Sequence, residues 1–376
     1  MDKIKKLNVF YHENKVGTLA LYKSKLAAFE YDNDWLKNGF AISPFSLPLE
    51  KRVFIPNIDP FDGMFGVFAD SLPDGWGRFL VDRFMLKNHI LPSEVGNLNR
   101  LAIVGASGMG ALSYKPEVQT DSIFPVIDLD KIAKECKLLL QTEYSENLDQ
   151  LFQLGGSSGG ARPKILTTIN NEEWIIKFPS YGDKANIGKQ EYDYSLCARK
   201  CGIEMAETKL FPSRKCEGYF GTKRFDRKNI SGKNKQKIHM LSVSAILETS
   251  HRIPNLDYNL LMKLTLELTK DYSEVLKLYR LMCFNVYAHN RDDHSKNFSY
   301  LYDEKNRKWI LSPAYDLTYS NSLGGEHATT VNGNGTNPDL PDLLAVAANI
   351  GIRESRARSI ALEVKTCIHD MLSKYL

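Results

Sequence analysis

A chain of 376 residues has room for about two or three domains and a sizeable buried core. With 43% hydrophobic and 25% charged residues it is globular in composition, and a formal charge of +4 is too small for a dedicated nucleic-acid binder while permitting one local basic patch. Six scattered cysteines with no CxxC pair read as reduced thiols, and no apolar window approaches the roughly 18 residues of a membrane span, so the chain is expected to be cytosolic.

In chain order, residues 1–115 form one β-rich unit. "LNVFYHENKVGTLALY" spells two strands around the turn "HENKVG", and the alternation recurs in "AAFEYD" (27–32). "DSLPDGWGRFLVDRFMLKN" (70–88) predicts a capped turn running into a helix with apolar Phe79, Leu80, Phe84 and Leu86. "VGASGMGALSY" (104–114) has Gly105, Gly108 and Gly110 but no following GK[ST], and reads as a structural turn. A polar connector (115–128) leads to a helix over 129–141. "LFQLGGSSGGARPKILTTINNEEWIIKFPS" (151–180) alternates as a strand, a glycine-rich turn, a strand, the turn "INNEE" and another strand. "KQEYDYSLCARKCGIEM" (189–205) is a helix closed by Gly202, and "YFGTKRFDR" (219–227) is a short strand leaving into a basic loop. That loop, 223–237, holds seven lysines or arginines and one aspartate; it is either a solvated hairpin tip or a nucleic-acid contact. From 241 onward the chain is mostly helical, apart from a hairpin-like stretch at 297–317.

Chemistry concentrates at a few places along this outline. The loop "LGGSSGGARPK" (154–164) lets backbone N–H groups approach a phosphate, although it lacks a Walker ending and a flexible structural loop is the alternative. Lys177 in "WIIKFP" is flanked by Trp174, Ile175, Ile176 and Phe178, so it must snorkel outward or pair with an anion. Glu191, near the start of the next helix, is the natural partner. A strand lysine joined to a helix glutamate behind a glycine loop is how protein kinases hold nucleotide phosphates. "NRDDHSKN" (290–297) fits the kinase catalytic-loop spacing R-D-x-x-x-x-N, with Asn290 where histidine is usual. In that pattern Asp292 accepts the substrate hydroxyl proton, Asn297 coordinates Mg²⁺, and Asp316 of "LSPAYDLTYS" (311–320) is the second metal-binding carboxylate. The order of these elements, with the hinge-like strand 219–225 among them, makes the pattern specific. The rivals are a metal-dependent hydrolase using His289, Asp292, Asp293 and His294, and a purely structural ion network. If His289 is not a ligand, it is a buried or capping histidine.

These residues resemble the HipA family, the serine/threonine kinase toxins of bacterial toxin–antitoxin pairs. The likeness covers nearly the whole chain through "DSLPDGWGR", "GGSSGGARPK", "WIIKFP", "KRFDR", "NRDDHSKNF" and "SPAYDLT". D-x-H-x-x-N together with S-P-x-Y-D separates the family from ordinary protein kinases. The resemblance implies an α+β, two-lobed protein-kinase-like fold: an N-terminal β-rich subdomain (1–115), a kinase-like N-lobe with the glycine-rich loop (116–225) and a mostly helical C-lobe with the catalytic loop (226–376). It implies ATP and Mg²⁺ as cofactors, with Asp292 catalytic, Asn297 and Asp316 on the metal, and Lys177 on the phosphates, supported by Glu191. Phe225 would lie against the adenine, His294 near the nucleotide, and Gly156, Ser158, Gly159 and Gly160 would line the loop. Ser157 is the matching autophosphorylation site, open by one residue to Ser158, and its modification would expel the loop and silence the enzyme. The implied partners are a small HipB-like antitoxin, DNA reached through it, and a translation-related protein substrate such as an aminoacyl-tRNA synthetase. Arg162, Lys223 and Asp293 depart from the family pattern. A catalytically idle subunit that only binds antitoxin and DNA, and a small-molecule kinase, remain the alternatives.

Overall fold

The computed structural model describes residues 3–117, 128–141, 147–229 and 235–376. They form two compact units, each assembled from two stretches of chain: residues 1–185 with 211–249, and residues 186–210 with 250–376. Part of the predicted connector, 118–127, and the middle of the basic segment, 230–234, lie outside the described residues.

The first unit opens with a five-stranded antiparallel sheet ordered Val53–Phe54, Leu26–Tyr31, Asn14–Tyr22, Lys6–Tyr11, Leu112–Lys115. Alternation puts Leu7, Val9 and Tyr11 inward, with Leu19 opposite Leu7 in the register. Gly17 is required because a methyl group there would meet the Phe29 ring at 2.6 Å and the Glu30 carbonyl at 2.3 Å. A second sheet pairs Lys164–Ile169, Glu172–Lys177 and Tyr219–Lys223 antiparallel. Asn170 and Asn171, with φ of 50° and 65°, make the tight turn between its first two strands. Its buried face brings Ile165, Trp174 and Ile176 onto Trp76, Leu80 and Phe152.

Two expectations change here. Residues 151–154 are not a strand but lie in the helix Leu148–Gly155, because Leu148, Leu151, Phe152 and Gly155 recur at helical spacing and are all buried. Phe152 stacks on Phe84 of the helix Gly75–Lys87 at 4.2 Å between ring centroids. The basic segment is also less free than its composition implies. Lys223 pairs with Glu172, Arg224 with Asp226, Arg227 with both Asp226 and Glu173, and Lys237 donates to the Ala106 carbonyl. Burial alone would raise the Asp226 carboxyl, but the two guanidiniums outweigh it and hold it at about 2.

The second unit is helical, built from Ile187–Lys200, Tyr258–Thr269, Tyr272–Tyr287, Leu340–Asn349 and Glu354–Leu372, with one hairpin, Ser299–Asp303 and Lys308–Leu311. Asp257 and Asp271 cap the Tyr258 and Tyr272 helices by accepting from Asn259 and Ser273 N–H. Val364, Ile368 and Leu372 fill one stripe of the Glu354–Leu372 helix, each burial contributing about 1.5–3 kcal/mol. No described helix is long and apolar enough to cross a membrane.

Candidate active site

In the first unit the glycine loop leaves the C-terminus of the Leu148–Gly155 helix rather than a strand. Gly156 N–H donates to Phe152 O at 2.7 Å, and Ser158 Oγ donates to Gly155 O at 2.6 Å. Ser158 is fully buried and Ser157 nearly so. The loop is held against the start of the Gly75–Lys87 helix. Trp76 N–H donates to Gly160 O at 2.9 Å, its indole Nε1 donates to Lys164 O at 3.0 Å, and Gly160 N–H donates to the Asp74 carboxylate. Gly77 is small because Ser158 O would lie 2.1 Å from a methyl at that position. Sequence reasoning gave the "PDGWG" corner no role at the loop, and its signal was the pair Gly75 and Gly77 around a buried tryptophan.

Lys164 and Lys177 face each other across the sheet register. Lys164 turns its ammonium to Gly159 O at 2.5 Å, while half-buried Lys177 carries its Nζ over the Phe220 ring, 5.7 Å from the centroid. Arg162, the departure from the family pattern, is held by Asp183 at 3.3 Å. Phe225 is half-buried in the turn after strand Tyr219–Lys223.

In the second unit the catalytic-loop candidates divide by burial. Asp293 is fully buried and accepts from Tyr258 Oη at 2.9 Å, His327 Nδ1 at 3.0 Å and Thr329 N–H at 3.1 Å. Burial first, and then the Asp293 carboxylate, push the Tyr258 phenol well above its ordinary range, which keeps it a donor. The relay continues through Asn285 Nδ2 to Tyr258 Oη and Asn290 Nδ2 to Asn285 Oδ1, both 2.9 Å. Asn290, in the position where kinases usually carry histidine, therefore anchors the loop from behind. Asp292, one residue from Asp293, is 62% exposed at its side chain.

Around Asp292, His294 Nε2 lies 3.8 Å from its Oδ1, and Asn297 Nδ2 donates to its carbonyl at 2.6 Å. His294 also caps the turn Ser295–Asn297 through Nδ1 and packs its ring on His251. Tyr315 Oη donates to Lys296 O at 2.6 Å, so the residue before Asp316 is tied to the residue before Asn297. Asp316 is half-buried and held at φ 57°, in the left-handed region that costs an L-residue about 1 kcal/mol and recurs at functional sites. His289, at the end of the Tyr272–Tyr287 helix with φ 51°, is half-buried, and burial lowers its pKa. The four-ligand hydrolase set does not form, since Asp293 points into the core while Asp292 stands outside. Glu191 is buried on the Ile187–Lys200 helix of this second unit, whereas Lys177 belongs to the first.

Residues 7–115 match the model of the HipA N-terminal domain, and residues 156–372 match that of the HipA-like C-terminal domain. The chain belongs to the HipA family. A candidate kinase of Sinorhizobium fredii, Y4dM, is 23% identical over 339 residues, spanning 84% of this chain and 78% of that protein. HipA of Shewanella oneidensis, solved as a complex with HipB and its operator DNA, overlays with a TM-score of 0.73 at 17% identity, covering 98% of this chain and 90% of that one. The α+β, two-lobed kinase-like architecture expected from the sequence is thus borne out as the HipA fold.

Proposed function

We propose that this HipA-family chain is an ATP- and Mg²⁺-dependent serine/threonine protein kinase, the toxin partner of a HipB-like antitoxin through which it reaches DNA in the cytoplasm. The carrying observation is the division of labour between adjacent carboxylates: Asp293 is consumed by Tyr258, His327 and Thr329, so that Asp292 is presented outward on an anchored loop. A fixed, exposed carboxylate suits a group that must orient a substrate hydroxyl and take its proton. Asn297 spends its amide NH₂ on the Asp292 carbonyl, which leaves Oδ1 for a cation. Together with Asp316 it offers the hard oxygen donors that suit Mg²⁺. Bound Mg·ATP supplies the phosphoryl group and offsets the carboxylate charge. Lys177, supported by Glu191, takes the role of phosphate counter-charge, and Phe225, His294, Gly156, Ser158, Gly159 and Gly160 that of nucleotide contacts. The relative named for kinase activity supports this activity, and the HipA–HipB–operator complex supports the antitoxin partner. In this reading residues 1–115 are the N-terminal subdomain, 116–225 the N-lobe with the glycine-rich loop and 226–376 the C-lobe with the catalytic loop.

Ser157 is favoured over Ser158 for autophosphorylation because the Ser158 hydroxyl is already spent on Gly155 O. A phosphoserine adds about −1.5 to −2 charges, which would repel nucleotide phosphates and release the loop. The test incubates wild type and Asp292→Asn, both shown to start unphosphorylated, with Mg·ATP, then reads intact mass and phosphopeptides. Gain of one phosphate group on Ser157 in wild type alone is expected. Equal gain in the variant removes Asp292 from catalysis; no gain in a chain whose melting temperature responds to Mg·ATP leaves a kinase that acts only on other molecules, and no gain with no thermal response makes it an idle subunit.

A further inference from the structure

Three cysteines distant in sequence meet in the second unit. Cys197 lies in the Ile187–Lys200 helix, Cys201 caps that helix, and Cys367 comes from the Glu354–Leu372 helix. Their Sγ atoms all lie within 4.8 Å of one another. Among the described residues no other three thiols, imidazoles or carboxylates converge in this way. Cys197 and Cys201 are buried and Cys367 is half-buried, so the cluster meets solvent on the Cys367 side.

Buried cysteine is common as a small apolar side chain, and Cys136 and Cys283 fill that role here. Convergence of three is different, because it reproduces the donor set of a thiolate metal centre. Zn–S bonds of about 2.3 Å place tetrahedral ligand sulfurs roughly 3.8 Å apart, so fractions of an ångström would bring these three onto one ion. A disulfide would use two of them and leave the third over. Purely sulfur donors select soft d¹⁰ cations over Mg²⁺ or Ca²⁺.

We propose that Cys197, Cys201 and Cys367 bind a thiophilic divalent d¹⁰ cation, Zn²⁺ foremost, with water as fourth ligand on the Cys367 side. Binding releases three thiol protons and leaves the filled site with a single negative charge. The ion would pin the Glu354–Leu372 helix to the Ile187–Lys200 helix that carries Glu191.

The experiment uses the reduced, chelator-stripped full chain and Cd²⁺ alone as probe. It follows sulfur-to-cadmium charge-transfer absorption, native mass and melting temperature. The expected result is one Cd²⁺ per chain and a raised melting temperature. Cys201→Ala and Cys367→Ser should each weaken uptake at least about tenfold, while Cys283→Ser binds as wild type. Cys367→Ser, at a half-buried position, keeps the test valid if Cys201→Ala misfolds. Reduced wild type that takes up no cadmium, or variants that take it up equally, overturns the site. So does a chain that forms a disulfide within the cluster while ignoring the metal.

Discussion

Replacing Asp293 by alanine should cost the second unit about 3–5 kcal/mol. Its carboxylate satisfies Tyr258 Oη, His327 Nδ1 and Thr329 N–H from a fully buried position. Each stranded buried donor costs about 1–3 kcal/mol, and partial relaxation or entry of a water recovers some of the sum. Asp293→Asn keeps one acceptor oxygen and turns an NH₂ toward another donor, so its loss should be about half as large. Urea unfolding monitored by circular dichroism measures both variants, and His327→Ala in a double-mutant cycle with Asp293→Ala isolates the pair. Transfer to a protein hydroxyl should fall in parallel, because Asp292 loses its anchorage. A loss below about 1 kcal/mol for Asp293→Ala would refute the view that this residue fixes the catalytic loop.

Two further outcomes follow from the first unit. Gly77→Ala places a methyl 2.1 Å from Ser158 O and 2.8 Å from Pro73 Cβ, so the glycine loop must shift; a cost of about 1–3 kcal/mol and weaker Mg·ATP binding by thermal titration are expected. Acid should destabilise this unit in two windows. Burial pushes His239 down to about 4 while its Nε2 sits 2.8 Å from Ile42 O, so the unfolded chain takes up a proton first and stability falls from about pH 6.5 to 4. Asp226, held at about 2, contributes in full above the ordinary carboxylate range and loses that contribution as pH falls from about 4 to 2. Asp226→Asn should flatten the lower window in urea midpoints recorded against pH and leave the upper one.

Local signals made most of this legible. The strands flanking Asn170 and Asn171, the helix closed by Gly202 and the loop carrying Asp292 and Asn297 are each written in spacing or turn chemistry. The missed helix at 148–155 shows the limit: "LFQL" followed by glycines is an apolar run too short for its period to be read, and packing on Phe84 decides it. Asp293 looked like a surplus charge beside Asp292 because burial by Tyr258 and His327 depends on residues more than thirty positions away. In the same way, Asp226 between two arginines turns part of a basic loop into a closed ion network, and Cys367 reaches Cys197 only through the tertiary fold.

The second unit takes its Ile187–Lys200 helix from the middle of the chain and closes it with the far end. Asp193 accepts from Lys374 and Tyr375, which lie 181 and 182 residues away. Such a pairing has no local shortcut, and the loop-closure cost must be met before its contacts reward it. During synthesis at about 5–20 residues per second, the helix emerges on the order of 10–35 s before Lys374 and Tyr375 exist. Until then Tyr194 can reach Phe284 and the Ala288 carbonyl, but Cys197 lacks the Cys367 carbonyl and Asp193 lacks Lys374 and Tyr375, so the unit bearing Asp292 is incomplete. Folding of this unit is therefore timed by translation itself: the ribosome must have made Lys374 and Tyr375 before the Ile187–Lys200 helix has all of its partners.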